Sequence, residues 1–303
     1  MFTRLLLLTS FCLLAEPIFA RQGSVTFESP IDCKFGENCD IVLFVDHDKT
    51  QKWQDYRCGN LTYDNHQGTD IRIRGIELMH RGIDVKAAAS GRVALVRRGL
   101  PDISFRAIGR DVIVRRGLGN VVVLNHGNGW QTIYAHLKRA SIRVAKGQKV
   151  STGDILGQVG MSGLSEFPHL HFAVLRLGKV IDPFFVNSSS KNCGGAHKSL
   201  WSAKAMRQMK YTNAFILNAG FSDSSVFNRT ALIYGLDIKK RMHHKAPNFL
   251  FAVDFAGGAP DDEYEMRIID PRQRTIAFSK KKITKVTNFK FDFVGRKGFG
   301  RSW

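Results

Sequence analysis

Histidine and aspartate side chains in three short segments of this chain could together hold and use a metal ion. The first segment is His66-Gln-Gly-Thr-Asp70. Gly68 disfavours a helix, so we expect a strand end or a turn, and a four-residue step places both side chains on one face. Imidazole nitrogen and carboxylate oxygen are ligands that Zn²⁺ accepts. Alone, this spacing is weak evidence, because it recurs by chance in many proteins.

The second segment, His169-Leu-His171, predicts two imidazoles side by side on a strand. In a strand these two histidines share one face, whereas Leu170 and Phe172 share the other face and would pack into a core. For an isolated pair, two surface histidines on an exposed strand are the simpler alternative.

The third segment is Tyr134-Ala-His136-Leu137, in which one histidine follows a β-rich run. A lone histidine in such a place usually has a structural role. Its imidazole is also the side chain best suited to exchange protons near neutral pH. The three segments therefore carry more weight together than separately.

The stretches around these segments indicate a mainly β fold. From about residue 61 to 186, short β-rich runs such as 93–96, 121–124 and 170–175 alternate with glycine-bearing turns. No amphipathic helix of three turns stands out in this part of the sequence. We expect a compact, mostly antiparallel sheet.

The remainder of the chain predicts a linker and a second, smaller β domain. Residues 187–210 are polar and glycine-bearing, and we interpret them as a linker with a short helix around 200–209. Residues 211–303 are expected to form a sandwich-like accessory domain, because apolar side chains recur there at every second position. The two alternating series are Phe249, Phe251, Val253 and Phe255, and Phe289, Phe291 and Phe293.

The first 20 residues have the three parts of a secretory signal peptide. Arg4 gives a basic start, residues 5–14 are apolar, and the segment ends at the small residue Ala20. We expect cleavage near Ala20 and export to the periplasm or out of the cell. Beyond this segment no apolar run approaches the roughly 18–20 residues that a membrane span needs.

Four cysteines follow the predicted signal peptide, and an even number in an exported chain favours disulfides. Of the three possible pairings we favour a local Cys33–Cys39 loop and a longer Cys58–Cys193 link, although the sequence does not decide between them. We interpret residues 21–57 as an N-terminal extension pinned by these bonds. A zinc site of four thiolates is the alternative, but no Cys-x-x-Cys pair is present.

Composition and charge exclude several classes of protein. The 303 residues are 44% hydrophobic and 23% charged, which rules out a disordered polyelectrolyte and a collagen-like repeat. The net charge is +19, and residues 197–303 hold 20 lysines and arginines against nine acids. Such a surface attracts polyanions. Candidate partners are peptidoglycan carboxylates and acidic lipid head groups, and a basic face that serves solubility alone is the alternative. Nucleic acid is disfavoured, because the exported chain has no motif that binds it.

Taken together, the three segments resemble the lysostaphin-type family of zinc endopeptidases, which cut bacterial cell-wall peptides. The hallmark of that family is His-x-x-x-Asp, a Tyr-x-His-Leu-like segment and His-x-His, in this order. The flanking stretches GNVVVLNHGNGWQTIYAHL, VAKGQKVSTGDILGQVGMSG and FPHLHFAVLRLGKVIDPF are similar to the family as well. The resemblance covers roughly residues 58–186 and implies an antiparallel β zinc peptidase domain of the duplicated hybrid motif kind.

Position by position, the resemblance assigns His66, Asp70 and His171 as ligands of one Zn²⁺ per chain. His136 and His169 match the two catalytic histidines that do not bind the metal. Three protein ligands leave a fourth tetrahedral position for water, as in a catalytic zinc site. All five positions are intact, unlike in degenerate members of the family, which lack ligands and activate other hydrolases.

The function that this resemblance implies is hydrolysis of peptide crosslinks in peptidoglycan by an exported zinc endopeptidase. Its partner would be the peptide stems, and we expect a monomer without a membrane span. A non-catalytic wall-binding protein or amidase activator is one alternative, and a secreted zinc protease that acts on proteins is another. We also expect residues 99–118 to form a wall of the cleft, and an Asp or Asn of residues 21–60 could block the metal.

Overall fold

The structure, a computed structural model, describes most of the chain between residues 25 and 297. The predicted signal peptide 1–20, part of the predicted linker and Trp303 lie outside the described residues. The described ranges are 25–186, 193–194, 198–239, 241–243 and 246–297.

An eight-stranded antiparallel sheet forms the centre of the molecule, as the sequence predicts. Its strand order is β1-β2-β9-β6-β5-β4-β7, with β10 paired to β9, while β3 and β8 form a small sheet of their own. The strands that hold the three histidine-bearing segments therefore lie beside one another in the middle of the sheet. The ten strands are β1 (Cys39–Leu43), β2 (Thr69–Ile73), β3 (Asp84–Lys86), β4 (Gly91–Arg97), β5 (Asn120–Gly127), β6 (Trp130–Leu137), β7 (Lys149–Val150), β8 (Ile155–Gln158), β9 (His169–Arg176) and β10 (Lys179–Ile181).

The helices are short, and none within residues 61–186 reaches three turns, in agreement with the sequence pattern. The helix predicted around 200–209 is present as α4, which begins after Ser202, whose side chain accepts a hydrogen bond from Ala205 N. Among the described residues, no helix combines the length and apolarity that crossing a membrane requires. The helices are α1 (Gly75–Arg81), α2 (Phe105–Ile108), α3 (Arg110–Ile113), a 3₁₀ turn (Val114–Arg116), α4 (Ala203–Gln208) and α5 (Arg229–Tyr234).

The segment predicted as an N-terminal extension packs into the same core as the main sheet. Strand β1 is the edge strand beside β2, and Phe27, Ile31 and Phe44 are buried in the central hydrophobic cluster. Both favoured disulfides are present, one within this segment and one that joins Cys58 to Cys193 across 135 positions. The second crosslink therefore ties the predicted linker to the segment that precedes β2.

The C-terminal region forms two layers, in agreement with a sandwich-like domain. A three-stranded sheet in the order β11-β12-β15 packs against the hairpin β13-β14. Val253, Met266, Ile268 and Val294 are the buried residues between the layers. The strands are β11 (Ala214–Ser222), β12 (Asn248–Gly257), β13 (Glu263–Ile269), β14 (Thr275–Lys282) and β15 (Phe289–Lys297).

The expectation that the phenylalanine series of β15 faces a core is wrong for part of that strand. Val253 lies opposite Asp292 in the register of β12 with β15, so the two phenylalanine series occupy opposite faces of the sheet. Asp292 is buried, whereas Phe293 is 52% exposed. Alternation alone could not reveal this, because the sheet is covered on one face by the hairpin and on the other by the domain that contains the main sheet.

The accessory sheet shares a core with the main sheet. Leu217 of β11, Ile233 of α5 and Ala256 of β12 are buried in the same cluster as the central strands. Phe289 packs against Phe167, with ring centroids 5.4 Å apart. The second domain is therefore not a freely tethered module but a continuation of the packing around the histidines.

Candidate metal centre

Three neighbouring strands bring the predicted site residues together. Strand β9 lies between β2 and β6, and the register of β2 with β9 places Asp70 directly opposite His171. His136 lies near the end of β6, on the other side of β9. Because residues directly opposite in adjacent strands project from the same face, the side chains of Asp70 and His171 meet there.

His66, Asp70 and His171 form a group that could hold a metal ion. One ligand atom from each lies within 4.8 Å of the others. His171 Nδ1 is 2.7 Å and His66 Nε2 is 3.2 Å from Asp70 Oδ1. His66 reaches this point from the loop before β2, which the sequence analysis expected to be a turn or a strand end.

The hydrogen bonding of His66 fits a metal ligand. Its Nδ1 donates to the carbonyl oxygen of Phe44 at 2.7 Å, which leaves the lone pair on Nε2. That Nε2 is buried, and its contact with Asp70 Oδ1 at 3.2 Å does not have the geometry of a good hydrogen bond. A buried donor atom in this state suits a cation, and an N–H donated to a carbonyl is the usual support of a metal-binding imidazole. Two nitrogens and one carboxylate form a donor set suited to Zn²⁺.

The electrostatics keep Asp70 ionised. Burial raises the pKa of this carboxyl, but the neighbouring His66 imidazole and the hydrogen bond from His171 hold it well below its usual range. For His66, burial lowers the pKa, and the charge and hydrogen bond of Asp70 outweigh this effect and raise it. A permanently charged carboxylate in a buried site is a strong reason to expect a cation partner.

His136 and His169 lie next to this group and are held as neutral bases. Burial, together with the neighbouring His169 and His171, lowers the pKa of His136 well below its usual range. Burial also lowers the pKa of His169, and Asp70 offsets only part of this shift. The two rings are 4.5 Å apart, and His169 Nε2 is 3.8 Å from Asp70 Oδ2.

One loop, residues 162–168, fixes the orientation of both of these histidines; we name it the histidine-orienting loop. His136 Nδ1 donates to the carbonyl oxygen of Ser162 at 2.8 Å, and His169 Nδ1 donates to that of Phe167 at 2.9 Å. Each ring therefore presents the lone pair of Nε2 rather than Nδ1. Ser162 and Ser165 brace the loop in turn, since their hydroxyls donate to Leu137 O and Phe167 O.

The backbone at His136 is in the left-handed region, with φ of 57°. This conformation is uncommon for a residue with a side chain and recurs at functional sites. The His136 N–H donates to Leu118 O at 2.9 Å, which ties the bend to the predicted cleft wall at 99–118. The His136 imidazole is therefore held in its direction by a strained backbone conformation.

Gly68, between the ligands His66 and Asp70, gives the ring of His171 the room it needs. A Cβ at this position would lie 2.6 Å from His171 Cε1 and 2.8 Å from Phe172 O. Gly68→Ala should therefore displace the ring and weaken zinc binding at least about tenfold, the lower end of the effect of disturbing a metal ligand's support. Competition with a chromogenic chelator measures this affinity.

The matched control for Gly68→Ala is Gly157→Ala in β8. There an added Cβ meets no atom closer than 3.3 Å, and the backbone is not left-handed. The control should keep the zinc affinity of the parent protein. Equal zinc affinities of the Gly68→Ala variant and the parent would contradict the role given to Gly68.

Other residues raised by the sequence have different surroundings. His126, interpreted as structural, bonds to Ser90 O and Thr132 Oγ1, each at 2.8 Å. His47 Nε2 lies 2.7 Å from Asp182 Oδ2. Within the described part of residues 21–60, no carboxylate belongs to the metal-ligand group.

The sequence analysis missed the histidine-orienting loop, Gly68 and Tyr63. The ring of Tyr63 lies 4.6 Å from that of His66 and is partly exposed, so it covers one side of this ligand. The available signal for the loop was its position, since a polar, glycine-bearing stretch leads directly into His169.

Comparison with known proteins agrees with this geometry. Residues 64–183 match the model of Peptidase family M23, and this stretch contains all five predicted site residues. The chain is 42% identical over 69 residues to the peptidoglycan DD-endopeptidase ShyA of Vibrio cholerae, a match that covers 23% of this chain and 16% of ShyA. It is 33% identical over 129 residues to the DD-carboxypeptidase/endopeptidase Mpg of Neisseria meningitidis. This match covers 43% of this chain and 27% of Mpg.

Among solved structures, the chain resembles the catalytic domain of the prophage-encoded M23 protein EnpA from Enterococcus faecalis. The identity is 22%, the TM-score is 0.36, and the match covers 51% of this chain and 95% of that domain. The chain spans less than a third of the length of the two curated relatives.

Proposed function

We propose that this chain is a zinc metalloendopeptidase that hydrolyses peptide crosslinks of bacterial peptidoglycan. The observation that carries the proposal is the convergence of three metal-ligand side chains with two neutral imidazoles on adjacent strands. The name of the relative ShyA, a peptidoglycan DD-endopeptidase, supports peptidoglycan as the substrate. Zinc is supported by the donor set of His66, Asp70 and His171.

These three residues would hold the ion. When bound, zinc supplies Lewis-acid chemistry, because it polarises a carbonyl and makes water acidic enough to yield a nucleophile near neutral pH. His66 is kept in the ligating tautomer by Phe44 O, and Asp70 contributes the negative charge that the ion requires.

His136 and His169 would move the protons of the reaction. Both are neutral near pH 7, because their pKa values are lowered, and both hold the free lone pair on Nε2. One imidazole accepts the proton of the attacking water, and the pair returns a proton to the leaving amine. The carbonyls of Ser162 and Phe167 stabilise each imidazolium through its Nδ1–H while it is charged.

The test of the proposal is mass spectrometry of fragments released from purified sacculi by the zinc-loaded protein. We expect crosslinked muropeptides to be split with a newly freed amine. A chelator should stop the release, and added zinc should restore it. Parallel digests of casein and of a pentaglycine peptide identify the substrate class.

Each outcome of these digests selects one function. Cleavage of casein with intact sacculi would favour a secreted protease that acts on proteins. Zinc-loaded protein that binds sacculi and releases nothing would favour a non-catalytic wall-binding protein or an activator of amidases. The complete set of five site residues makes this last outcome the one we least expect.

The location we propose is the periplasm or the exterior of the cell. Two disulfides support an oxidising compartment, because such bonds rarely persist in the cytosol. The signal peptide that would direct export is expected from residues 1–20 alone.

One of the two densest basic runs of the accessory domain, residues 280–282, is paired with acids of the same domain. Each pair cancels a lysine charge locally, so this run offers little free positive charge, while pairing leaves the net charge of the domain unchanged. The pairs are Lys280 with Glu263, Lys281 with Asp292 and Lys282 with Asp261.

A further inference from the structure

We propose that the C-terminal β domain sets the position of the catalytic histidines by clamping two segments of the peptidase domain. These segments are the histidine-orienting loop and the end of β2 just after the ligand Asp70. The geometry makes Arg72, Glu166, Arg229 and Asp254 positioning residues for the reaction. This inference rests on the function proposed above.

The first contact of the clamp involves β2 and is made by Arg72. This residue follows Asp70 by two positions and lies opposite His169 in the register with β9. Its side chain is 2% exposed, and Nη1 is 3.0 Å from Oδ2 of Asp254, a fully buried carboxylate of β12. The side-chain amide of Asn218 on β11 is oriented so that its nitrogen and its oxygen both have hydrogen-bond partners. In this orientation the amide oxygen accepts a hydrogen bond from Arg72 Nη2 at 2.7 Å.

Such a buried charge is stable only when its partner is in place. The peptidase strand therefore depends on an acid that a different domain supplies, 182 positions further along the chain. This contact fixes the backbone of β2 between the ligand Asp70 and the point where the strand leaves the site.

The second contact of the clamp involves the histidine-orienting loop and is made by Glu166. Its Oε1 accepts from Arg229 Nη1 of α5 at 3.1 Å and from Arg106 Nε of α2 at 2.6 Å. The hydroxyl of Tyr234, also in α5, donates to the backbone carbonyl of Glu166 at 3.3 Å. Glu166 thus joins the loop to the accessory domain on one side and to the predicted cleft wall on the other.

The two contacts of the clamp form one network. Arg229 Nε donates to Asp254 Oδ1 at 3.2 Å, so Asp254 contacts both Arg72 and Arg229. A displacement of α5 or β12 would therefore reach the ligand strand and the loop together.

Phe167 connects the residues of the clamp to His169. Its carbonyl accepts the His169 Nδ1–H, while its ring lies 4.6 Å from the Arg72 guanidinium carbon and 5.4 Å from the ring of Phe289 on β15. The residue that orients the imidazole is thus packed against a member of the network and against the accessory sheet. A shift of about 1 Å in a catalytic group can reduce turnover about 100-fold, so this packing bears directly on rate.

The experiment uses the zinc-loaded full-length chain with Glu166→Gln, Arg229→Gln and the double variant. Both side chains are partly exposed, at 22% and 26%, so the loss of charge is tolerable. We do not use Asp254→Asn, because it would leave the buried Arg72 charge without its acidic partner. We expect each single variant to lower kcat about tenfold, with KM within about twofold, as for lost orientation rather than lost substrate binding.

Two comparisons separate positioning from general stability. The fall in kcat of the double variant should be smaller than the product of the two single falls, because both changes remove the Glu166–Arg229 contact. Arg229→Lys should recover most of kcat, since it restores a cation. The control is Arg274→Gln, which removes an ion pair with Asp270 in the same domain but outside the network. It should leave kcat unchanged.

A second readout does not depend on catalysis. Hydrogen exchange of the peptide that covers residues 162–168 should become at least about tenfold faster in Glu166→Gln and Arg229→Gln, and not in Arg274→Gln, because local opening is easier without the contact. If the parent protein cleaves no sacculi, the proposed function fails, while exchange of this peptide still decides whether the clamp exists.

Two results would overturn the inference. One is unchanged exchange of residues 162–168 in both variants. The other is faster exchange with unchanged kcat in a protein that does cleave sacculi, since the loop would then be held without any effect on the histidines.

Discussion

His171→Ala should remove both the metal and the activity. The substitution leaves only His66 and Asp70 as protein ligands, and two protein donors are too few to keep zinc bound in dilute solution. We expect less than about 0.1 zinc per chain and a fall in kcat/KM of at least about 1,000-fold, because loss of a ligand exceeds the about 10- to 100-fold effect of disturbing a ligand's support. Elemental analysis and muropeptide release measure the two effects.

The matched control is His80→Ala, the same substitution at an exposed position of α1. This variant should keep one zinc per chain and the parent rate. Hydrolysis of sacculi by a zinc-free His171→Ala protein would contradict the assignment of the ligands.

His136→Ala should keep the zinc and lose turnover. This imidazole is not in the ligand group, and its Nδ1 is committed to the Ser162 carbonyl, so its removal leaves the three ligands untouched. Loss of a proton-transferring group typically lowers kcat about 100- to 10,000-fold, and we expect an effect in that range with little change in KM. His169→Ala should behave in the same way.

Steady-state kinetics on a defined crosslinked muropeptide, together with elemental analysis, test this prediction. A His136→Ala protein that loses zinc in parallel with activity would make His136 a ligand. A variant that turns over at the parent rate would remove it from the mechanism.

The main sheet and the proximity of the candidate site residues could be predicted because their signals are local in sequence. Alternation of apolar residues reveals strands such as β9, where His169 and His171 stand beside core residues such as Phe172. The segment pattern and its family resemblance then supply the assignment of His66, Asp70 and His136. Each of these inferences needs only a few consecutive residues.

What sequence reasoning missed depends on contacts between distant residues or on backbone atoms. Arg72 pairs with Asp254 across 182 positions, and neither residue stands in a distinctive motif. The groups that orient His136, His169 and His66 are carbonyl oxygens, which every residue has, so no side-chain identity marks them. Such features become visible only when the strands are placed beside one another.

The prediction that failed on β15 has the same origin. Alternation shows that two faces of a strand differ, and it does not show what covers each face. Here the accessory sheet packs its one face on the hairpin and its other face on the histidine-orienting loop through Phe289.

Anomalous X-ray scattering at the zinc absorption edge, from crystals of the zinc-loaded protein, tests the central claim most directly. The structure predicts one strong peak that contacts His66 Nε2, the Asp70 carboxylate and His171 Nδ1, with His136 and His169 close by but not bound to it. A peak elsewhere in the molecule, or no peak among these three side chains at full zinc loading, would contradict the account.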